Sequence, residues 1–432
     1  MTETVETLDG LQRRVTLTLD MAAIETEVNK RLRNLARKVK VDGFRPGKAP
    51  IKMVAARYGG EVRGEVVGDS LQQRFVDVVS TNQINVAGYP SFEPVKDEAG
   101  NVAFNAVFEV FPEIKLGAVG EIKIARPVVE VTDTDVDRTI EVLRKQRLQY
   151  HTVERPAQSG DRAHIDYAGR IDGTVFEGGE AKDFPVVLGE GRTLKEFEGA
   201  LDGMRPGEEK SFDVTFPDDY FAKHLAGKTA TFTARVDSVQ EPRLPEIDDA
   251  FAASMGVHEG GIAKLREEIA ANLRREAKRR IQGKVKEQVM DGLLGVTPFE
   301  VPARLVSMEG RAMFERAAND LKQRGLREAD LKMDESLFEP QAKRRVALGL
   351  LLNKLAETEQ IKADAAQVKT LVEEFAQSYE DPAEVVAWYY ADPSRLREAQ
   401  SLALEENIVN WVLERAQVAD ETTTLENLMG KS

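Results

Sequence analysis

Cysteine is absent from the 432 residues of this sequence, and histidine and tryptophan are rare, with four and two residues. The absence of cysteine excludes a disulfide framework, a thiol nucleophile and a thiolate metal site, and it suits a reducing compartment. Long apolar runs are also missing, since the longest, at residues 346–352, is far below the roughly 20 residues that cross a bilayer. The N-terminus is acidic and polar, whereas a secretory signal begins with basic residues followed by an apolar stretch. We therefore expect a cytoplasmic protein with no membrane partner.

Positive charge is in the minority, because 60 basic residues face 74 acidic ones and the net charge is −14. This balance excludes a generic nucleic-acid binder, whose whole surface would attract phosphate. Residues 29–48 reverse the sign, with eight basic residues and one acidic residue. On charge alone, a solvated helix face explains this segment as well as a binding patch does. Any function of basic residues is nevertheless expected to be local, and this segment is the candidate.

The length predicts about three domains at roughly 150 residues each, and the first is assigned to residues 1–112. Apolar residues alternate over residues 14–20 and 101–111, which predicts two half-buried strands. Between them, residues 24–39 and 62–79 carry apolar residues at helical spacing. Strands and helices in this arrangement predict an α+β domain.

A connecting segment is predicted over residues 113–149, packing toward the helical part of the chain. It contains an apparent strand at residues 128–131 and a helix that begins at the Thr and Asp cluster of residues 132–135. This helix carries one apolar stripe.

Two further domains are predicted from a change in glycine content. Residues 150–245 hold 11 of the 32 glycines, with short β-like runs between the turns, which predicts a small, strongly bent antiparallel β domain. Residues 246–432 form long charged segments with apolar residues at helical spacing, which predicts an all-α domain.

The octapeptide at residues 43–50, GFRPGKAP, is the most informative motif in the basic segment. Two glycines and a proline hold a loop tip that exposes Phe44 between cations, so that Arg45 and Lys48 can bind phosphate while Phe44 enters an apolar groove on a partner. The octapeptide resembles the ribosome-binding signature of the trigger factor family, bacterial ribosome-associated chaperones, and the resemblance extends over essentially the whole chain. It implies binding to the large ribosomal subunit, against protein and RNA beside the peptide exit tunnel, through Gly43, Phe44, Arg45, Gly47 and Lys48.

The β-rich segment is similar to FKBP-type prolyl isomerases in the pieces at residues 165–169, 176–179, 183–191, 194–199 and 216–220. By this resemblance, the catalytic pocket is lined by Tyr167, Phe176, Phe184, Leu194, Phe197, Tyr220 and Phe232. Phe197 stands where the family usually has an indole. Without the glycine-spaced pattern, these aromatic residues would be read as ordinary core.

The chemistry of prolyl rotation suits an apolar pocket, because it needs neither a nucleophile nor a proton carrier. The barrier of roughly 18 to 20 kcal/mol comes from amide resonance. A dry aromatic cavity removes hydrogen bonds from the planar amide, and the twisted transition state, with less charge separation, loses less on desolvation. Asp166 or a backbone donor could orient the carbonyl, and the sequence leaves this choice open.

Several other sites are excluded by spacing. Residues 227–229 resemble the end of a phosphate-binding loop, but Ala222 occupies the earlier position that requires glycine. The four histidines lack ligand spacing, and no Gly-x-Ser-x-Gly elbow occurs. We therefore expect neither a cofactor nor a metal.

The predicted fold class is multidomain α+β, with an N-terminal α+β ribosome-binding domain, an FKBP-like bent antiparallel sheet domain and a C-terminal all-α domain with helical arms. The resemblance implies an ATP-independent chaperone and prolyl isomerase whose partners are the ribosome and nascent and unfolded polypeptides, with a homodimer as a candidate form away from the ribosome. Two alternatives stay open. One is a stand-alone FKBP-type isomerase whose flanks only dimerise it, and the other is a noncatalytic holdase of exported proteins, which predicts a signal peptide.

Overall fold

The structure, a computed structural model of the 432-residue chain, describes residues 4–40, 44, 50–95, 102–220, 222–325, 334–377, 379 and 381–430. The chain divides into two compact units, one made of residues 1–126 and 283–421 and the other of residues 127–282 and 422–432. Within the described residues, no helix combines the length and the apolar character that crossing a bilayer requires.

The first unit begins with a four-stranded antiparallel sheet and two helices. Its elements are β1 (Val5–Thr7), β2 (Gln12–Leu19), α1 (Met21–Ala36), α2 (Ile51–Thr81), β3 (Val86–Val95) and β4 (Val102–Val110), with the strands in the order β1-β2-β4-β3. Alternation in β2 buries Val15 and Leu17, and the helical stripe of α1 buries Ile24, Val28 and Leu32. The prediction of an α+β domain is confirmed.

The connecting segment differs from its prediction in one element. The strand is β5 (Lys123–Val128), which pairs with a strand at Gln417–Thr422, so the strand predicted at residues 128–131 is placed too late. Val129 and Val131 instead pack in a small apolar cluster with Leu425, which explains their apolar character. The predicted helix is α3 (Asp133–Gln146), and a capping box between Thr132 and Asp135 starts it.

The sheet region, residues 149–243, forms a five-stranded antiparallel sheet, where the glycine content predicted a small, strongly bent antiparallel β domain. Its elements are β6 (Gln149–Val153), β7 (Arg162–Ile171), β8 (Thr174–Val187), α4 (Lys195–Leu201), β9 (Glu209–Thr215) and β10 (Thr229–Arg243). The order is β6-β10-β7-β8, and β9 also pairs with β10. Register shifts in the β10–β7 and β7–β8 pairs mark irregularities of the bulge type, which bend strands locally.

In the described residues after Arg243, the regular elements are helices apart from one strand. Its elements are α5 (Asp249–Ser254), α6 (Gly261–Val296), α7 (Ala303–Gln323), α8 (Glu339–Glu359), α9 (Ala365–Ala376), α10 (Pro382–Tyr390), α11 (Pro393–Leu413), β11 (Gln417–Thr422) and α12 (Leu425–Met429). The helical prediction is confirmed, while β11 was not predicted. Five of its six residues are exposed, so it carries no alternating apolar pattern that a sequence could reveal.

Within the first unit, the N-terminal sheet meets the start of α7. Glu109 of β4 is buried, and its Oε2 accepts a hydrogen bond from the backbone N–H of Arg304 at 2.7 Å. The first N–H groups of a helix lack intrahelical partners, so a carboxylate there is stabilising. The same unit therefore includes residues from two of the predicted domains, and the boundaries at residues 112, 149 and 245 stay predictions.

Candidate functional site

A cavity of about 550 Å³ in the sheet region is lined by all seven residues predicted for the pocket. They come from three strands, one helix and two connections: Tyr167 on β7, Phe176 and Phe184 on β8, Leu194 before α4, Phe197 on α4, Tyr220 after β9 and Phe232 on β10. Residues up to 65 positions apart in the chain thus meet around one space.

The aromatic rings pack edge to face, which fixes the cavity floor. The ring centroids of Phe197 and Phe232 lie 5.2 Å apart at 84°, and those of Tyr167 and Phe197 lie 5.7 Å apart at 81°. Such pairs are favoured by the charge distribution of aromatic rings. Phe197 and Phe232 are 7% and 6% exposed, whereas Phe184 is 38% exposed. The cavity therefore has a buried aromatic floor and an open rim.

Two local features place these rings. A Cβ atom at Gly169 would lie 2.5 Å from Phe232 Cε1, so only glycine leaves room for this ring. On β8, Asp183 has a φ of +50°, and its backbone N–H donates to Asp166 Oδ1 at 2.9 Å. The pairing of β7 with β8 shifts its register between Ile165 and Tyr167, on either side of Asp166. On β8, Phe184 directly follows Asp183 and is the partner of Ile165.

Further lining residues were not predicted for the pocket: Glu177, Gly178, Arg192, Thr193, Phe216, Ala222, His224 and Leu225. Phe216 had a signal, since it ends the apolar alternation of residues 210–216. The polar members, such as His224, had none, because nothing in the spacing of a polar loop residue indicates which cavity it faces.

One titratable group of the cavity is held in its neutral form. Burial raises the pKa of Tyr167, and the proximity of Tyr220 raises it further, so the Tyr167 hydroxyl stays protonated and can donate a hydrogen bond. Among the residues that the structure describes, no three histidine, aspartate or glutamate side chains are grouped to hold a metal ion. The site can thus enclose and desolvate an apolar group while offering a neutral donor.

Of the predicted docking residues, only Phe44 lies in the described part of the chain, and its side chain is exposed. Gly43, Arg45, Gly47 and Lys48 lie outside the described residues. Part of the positive charge beside the loop is paired, since Arg31 contacts Asp69 at 2.8 Å and Lys30 contacts Glu27 at 2.9 Å. Four other cations are exposed without an ion-pair partner among the described residues: Arg33, Arg37, Lys38 and Lys40.

The helical region, residues 303–413, exposes aromatic side chains that the sequence reasoning did not single out. The exposed set comprises Phe375, Tyr379, Trp388 and Tyr390. Trp388 is 53% exposed, and the guanidinium of Arg395 lies 3.9 Å from its ring centroid. Of the methionines, Met290 is buried while Met308 is exposed. Among the described residues of this region, exposed aromatic side chains therefore outnumber exposed methionines.

Comparison with known proteins gives three family models along the chain. The model described as bacterial trigger factor protein matches residues 1–143, the model of the trigger factor C-terminus matches residues 261–414, and the model of the FKBP-type peptidyl-prolyl cis-trans isomerase matches residues 153–236.

Whole-length relatives agree with these models. The trigger factor of Aromatoleum aromaticum is 48% identical and that of Nitrosospira multiformis 49% identical, each alignment covering 100% of both chains. A solved structure of the trigger factor chaperone covers 95% of this chain and 100% of its own at 19% identity, with a TM-score of 0.45. Because this TM-score is low, the family relationship rests on the sequence relatives.

Proposed function

The chain belongs to the bacterial trigger factor family, and from this premise we propose how its parts act in a ribosome-associated chaperone that is also an FKBP-type peptidyl-prolyl cis-trans isomerase. The proposed division assigns residues 1–112 to ribosome binding, 113–149 to a connection, 150–245 to isomerisation and 246–432 to the holding of clients. The two alternatives, an isomerase with dimerising flanks and a noncatalytic holdase, lose their support because all three models match in order.

We propose that the cavity of the sheet region is the isomerase site. The observation that supports this most is the convergence of Tyr167, Phe197 and Phe232 with the four other predicted residues around one space. A proline ring and its preceding amide would be removed from water against the buried floor. The planar amide would lose its hydrogen bonds there, while the twisted amide has less charge separation and loses less.

The Tyr167 hydroxyl is a neutral donor that we assign to a substrate carbonyl, since burial keeps it protonated. Rotation about the prolyl bond changes no protonation state, so no group has to titrate near neutrality. We therefore assign enclosure as the main source of rate acceleration and hydrogen bonding as an orienting contribution.

The test compares two residues of β8 that are equally exposed. Phe184 lines the cavity and Val175 does not, and each is 38% exposed. Phe184→Ala is expected to lower kcat/KM for a prolyl peptide by about fivefold, the loss of roughly 1 kcal/mol of transition-state stabilisation, and Val175→Ala to leave it unchanged. Equal rates in both variants would remove the cavity from the mechanism.

Ribosome docking is assigned to the octapeptide loop and its basic surroundings. We propose that Phe44, Arg45 and Lys48, held by Gly43 and Gly47, bind the large subunit beside the exit tunnel, on protein and RNA. The exposed Phe44 side chain and the exposed cations of residues 33–40 support this. Attraction to phosphate is screened by salt, so binding should weaken as salt is added.

The docking test uses a matched control. Replacing Phe44, Arg45 and Lys48 with Ala is expected to reduce cosedimentation with ribosomes by at least about tenfold, because both the aromatic anchor and two cations are lost. The control replaces one exposed aromatic and two exposed cations elsewhere, Tyr89, Lys278 and Arg279. Equal loss in both triple variants would mean that net charge, and not the loop, controls binding.

Client holding is assigned to residues 246–432, without ATP, through exposed apolar side chains that accept many sequences. A homodimer away from the ribosome is a further proposal. Sedimentation velocity of the full chain across concentrations tests it, since a dimer in equilibrium gives a sedimentation coefficient that rises with concentration.

A further inference from the structure

One wall of the cavity is a loop that has few means of holding its own shape. Residues 188–194, all of which the structure describes, form turns and bends between β8 and α4. Gly189 and Gly191 have φ values of +86° and +67°, the left-handed region that favours glycine. Arg192, Thr193 and Leu194 nevertheless line the cavity. Something outside the loop must therefore hold these residues in place.

Backbone hydrogen bonds to Gly160 and Asp161 hold Leu188 at the start of the loop, and a carboxylate on α4 supports the residues that follow. Glu198 accepts hydrogen bonds from the backbone N–H of Gly189 at 2.9 Å, from the backbone N–H of Thr193 at 3.2 Å and from the Thr193 hydroxyl at 3.0 Å. Both carboxylate oxygens are used, one toward each end of the loop. Glu198 directly follows Phe197, whose ring is part of the cavity floor. The same turn of α4 therefore carries the floor and holds the wall.

The ionisation of Glu198 suits this role. Burial raises the pKa of Glu198, but the hydrogen bonds from Gly189 and Thr193 outweigh it and lower the pKa below its ordinary value. An ionised carboxylate only accepts hydrogen bonds, which matches three donors. The loop's own cation is engaged elsewhere, since Arg192 pairs with Glu190 at 2.8 Å. In Glu198→Gln, the side-chain NH₂ group would face one of these donors and could not accept its hydrogen bond. Part of the support of the loop would therefore be lost.

We propose that Glu198 is a positioning residue for prolyl isomerisation, holding the loop at residues 189–194 so that Thr193 and Leu194 close one wall of the cavity around the reacting amide. This inference rests on the proposal that the cavity is the isomerase site. The floor binds the proline ring with or without the wall, whereas enclosure of the twisted amide requires it. Loss of the support therefore lowers kcat more than it raises KM.

The experiment uses the full chain with Glu198→Gln and, as matched control, Glu196→Gln, which removes the same charge from an exposed position on the same helix. For Glu198→Gln we expect about a fivefold lower kcat with KM within about twofold, as for a site whose supporting contacts loosen. Hydrogen exchange at the Gly189 and Thr193 amides should accelerate in that variant alone. Glu196→Gln should match the parent in all three measurements.

The outcomes separate the two proposals. If Phe184→Ala loses activity while a folded Glu198→Gln keeps the parent kcat, the positioning role is overturned and the site stands. If Glu198→Gln changes KM alone, the loop serves binding and the role is also overturned. If both variants keep parent kinetics, the site itself is wrong. Should Glu198→Gln fail to fold, Glu198→Asp decides, because its shorter carboxylate must lower kcat below that of the parent, and a parent kcat would overturn the inference.

Discussion

The cavity of the sheet region and the exposed aromatic residues of the helical region use the same kind of side chain in opposite ways. Phe197 and Phe232 are almost fully buried, whereas Trp388 and Tyr390 are 53% and 47% exposed. Enclosed rings define one geometry, which a rotation about one bond requires. Exposed rings offer apolar area without a fixed shape, which suits chains of many sequences. The difference indicates that isomerisation and holding can be separated by mutation.

The two surfaces also differ in what maintains them. The cavity rings contact one another edge to face. In the same region, Asp161 binds Arg155, which also pairs with Glu241 of β10. Trp388 contacts the guanidinium of Arg395 and, edge to face, the ring of Tyr389, and it stays 53% exposed. A mutation in the interior of the sheet region should therefore disrupt the cavity and leave the exposed aromatic residues of the helical region unchanged.

The largest expected effect comes from Asp161→Asn. Asp161 is buried, accepts hydrogen bonds from Arg155 at 2.5 and 3.0 Å, and accepts another from the Gln158 N–H at 3.0 Å. The Asp161 side chain is 3% exposed but that of Arg155 is 34% exposed, so the pair is partly buried, and Arg155 keeps Glu241 in the variant. We therefore expect a cost of about 2 kcal/mol, within the range for hydrogen bonds to a charged group. Thermal unfolding of the sheet region should shift down, and aggregation suppression by the helical region should persist. The exposed pair of Asp237 and Arg235 provides the control, where Asp237→Asn should cost under about 1 kcal/mol.

The same carboxyl predicts a dependence on pH. Burial raises the pKa of Asp161, but the hydrogen bonds from Arg155 and Gln158 outweigh it and lower the pKa below its ordinary value. Its contribution to stability is therefore complete above about pH 4, the range of an unfolded carboxyl, and is lost as the pH falls through the lower folded value. Asp161→Asn should flatten this part of the stability curve. An unchanged acid transition in the variant would show that other groups control it.

The next largest effect is expected from Phe197→Leu, which removes a ring from the floor while keeping most of its volume. We expect kcat/KM for a prolyl peptide to fall about tenfold, or roughly 1.4 kcal/mol. Suppression of aggregation of a proline-poor client should not change, because that surface lies in the helical region. A parallel loss of both activities would contradict the separation of enclosed and exposed surfaces.

A smaller, opposite effect is expected from the helical region. Replacing Trp388 and Tyr390 with Ser removes exposed apolar area, so the client concentration that the full chain protects should fall about threefold, with kcat/KM unchanged. Tyr89→Ser is the control, since Tyr89 is 72% exposed but lies in the N-terminal sheet. If the control loses as much protection, holding is spread over the whole surface.

The sequence predicted the floor of the cavity better than its wall. Tyr167, Phe197 and Phe232 were predicted because the resemblance to FKBP-type isomerases, supported by the spacing of glycines, assigned them to one pocket. The role of Glu198 could not be predicted, since its partners are backbone N–H groups of a loop whose path no periodicity describes. Helix caps such as Thr132 have a residue-type signature, but a carboxylate that binds the backbone of an irregular loop has none.

Secondary structure showed the same limit. Buried stripes such as Ile24, Val28 and Leu32 were predicted, because apolar periodicity reports which face is buried. The exposed strand β11 was missed because it has no apolar face to detect. The strand at residues 123–128 was placed late because the apolar residues Val129 and Val131 follow it and pack in a cluster of their own. The exposed aromatic residues of α10 were missed for a related reason, because helical spacing identifies apolar residues without showing that no partner covers them.

The smallest effect is expected from Asp166→Asn, and it tests whether enclosure alone accounts for the rate. Asp166 Oδ1 accepts the backbone N–H of Asp183 at 2.9 Å, so its carboxylate supports the strand before Phe184. An asparagine oxygen can accept the same bond. We therefore expect kcat/KM to fall less than about twofold, with no steep pH dependence near neutrality in either protein. Asp166→Ala should cost more, because no acceptor remains and Phe184 can move. A steep pH profile in the parent that Asp166→Asn abolishes would instead show that Asp166 acts in general acid-base catalysis.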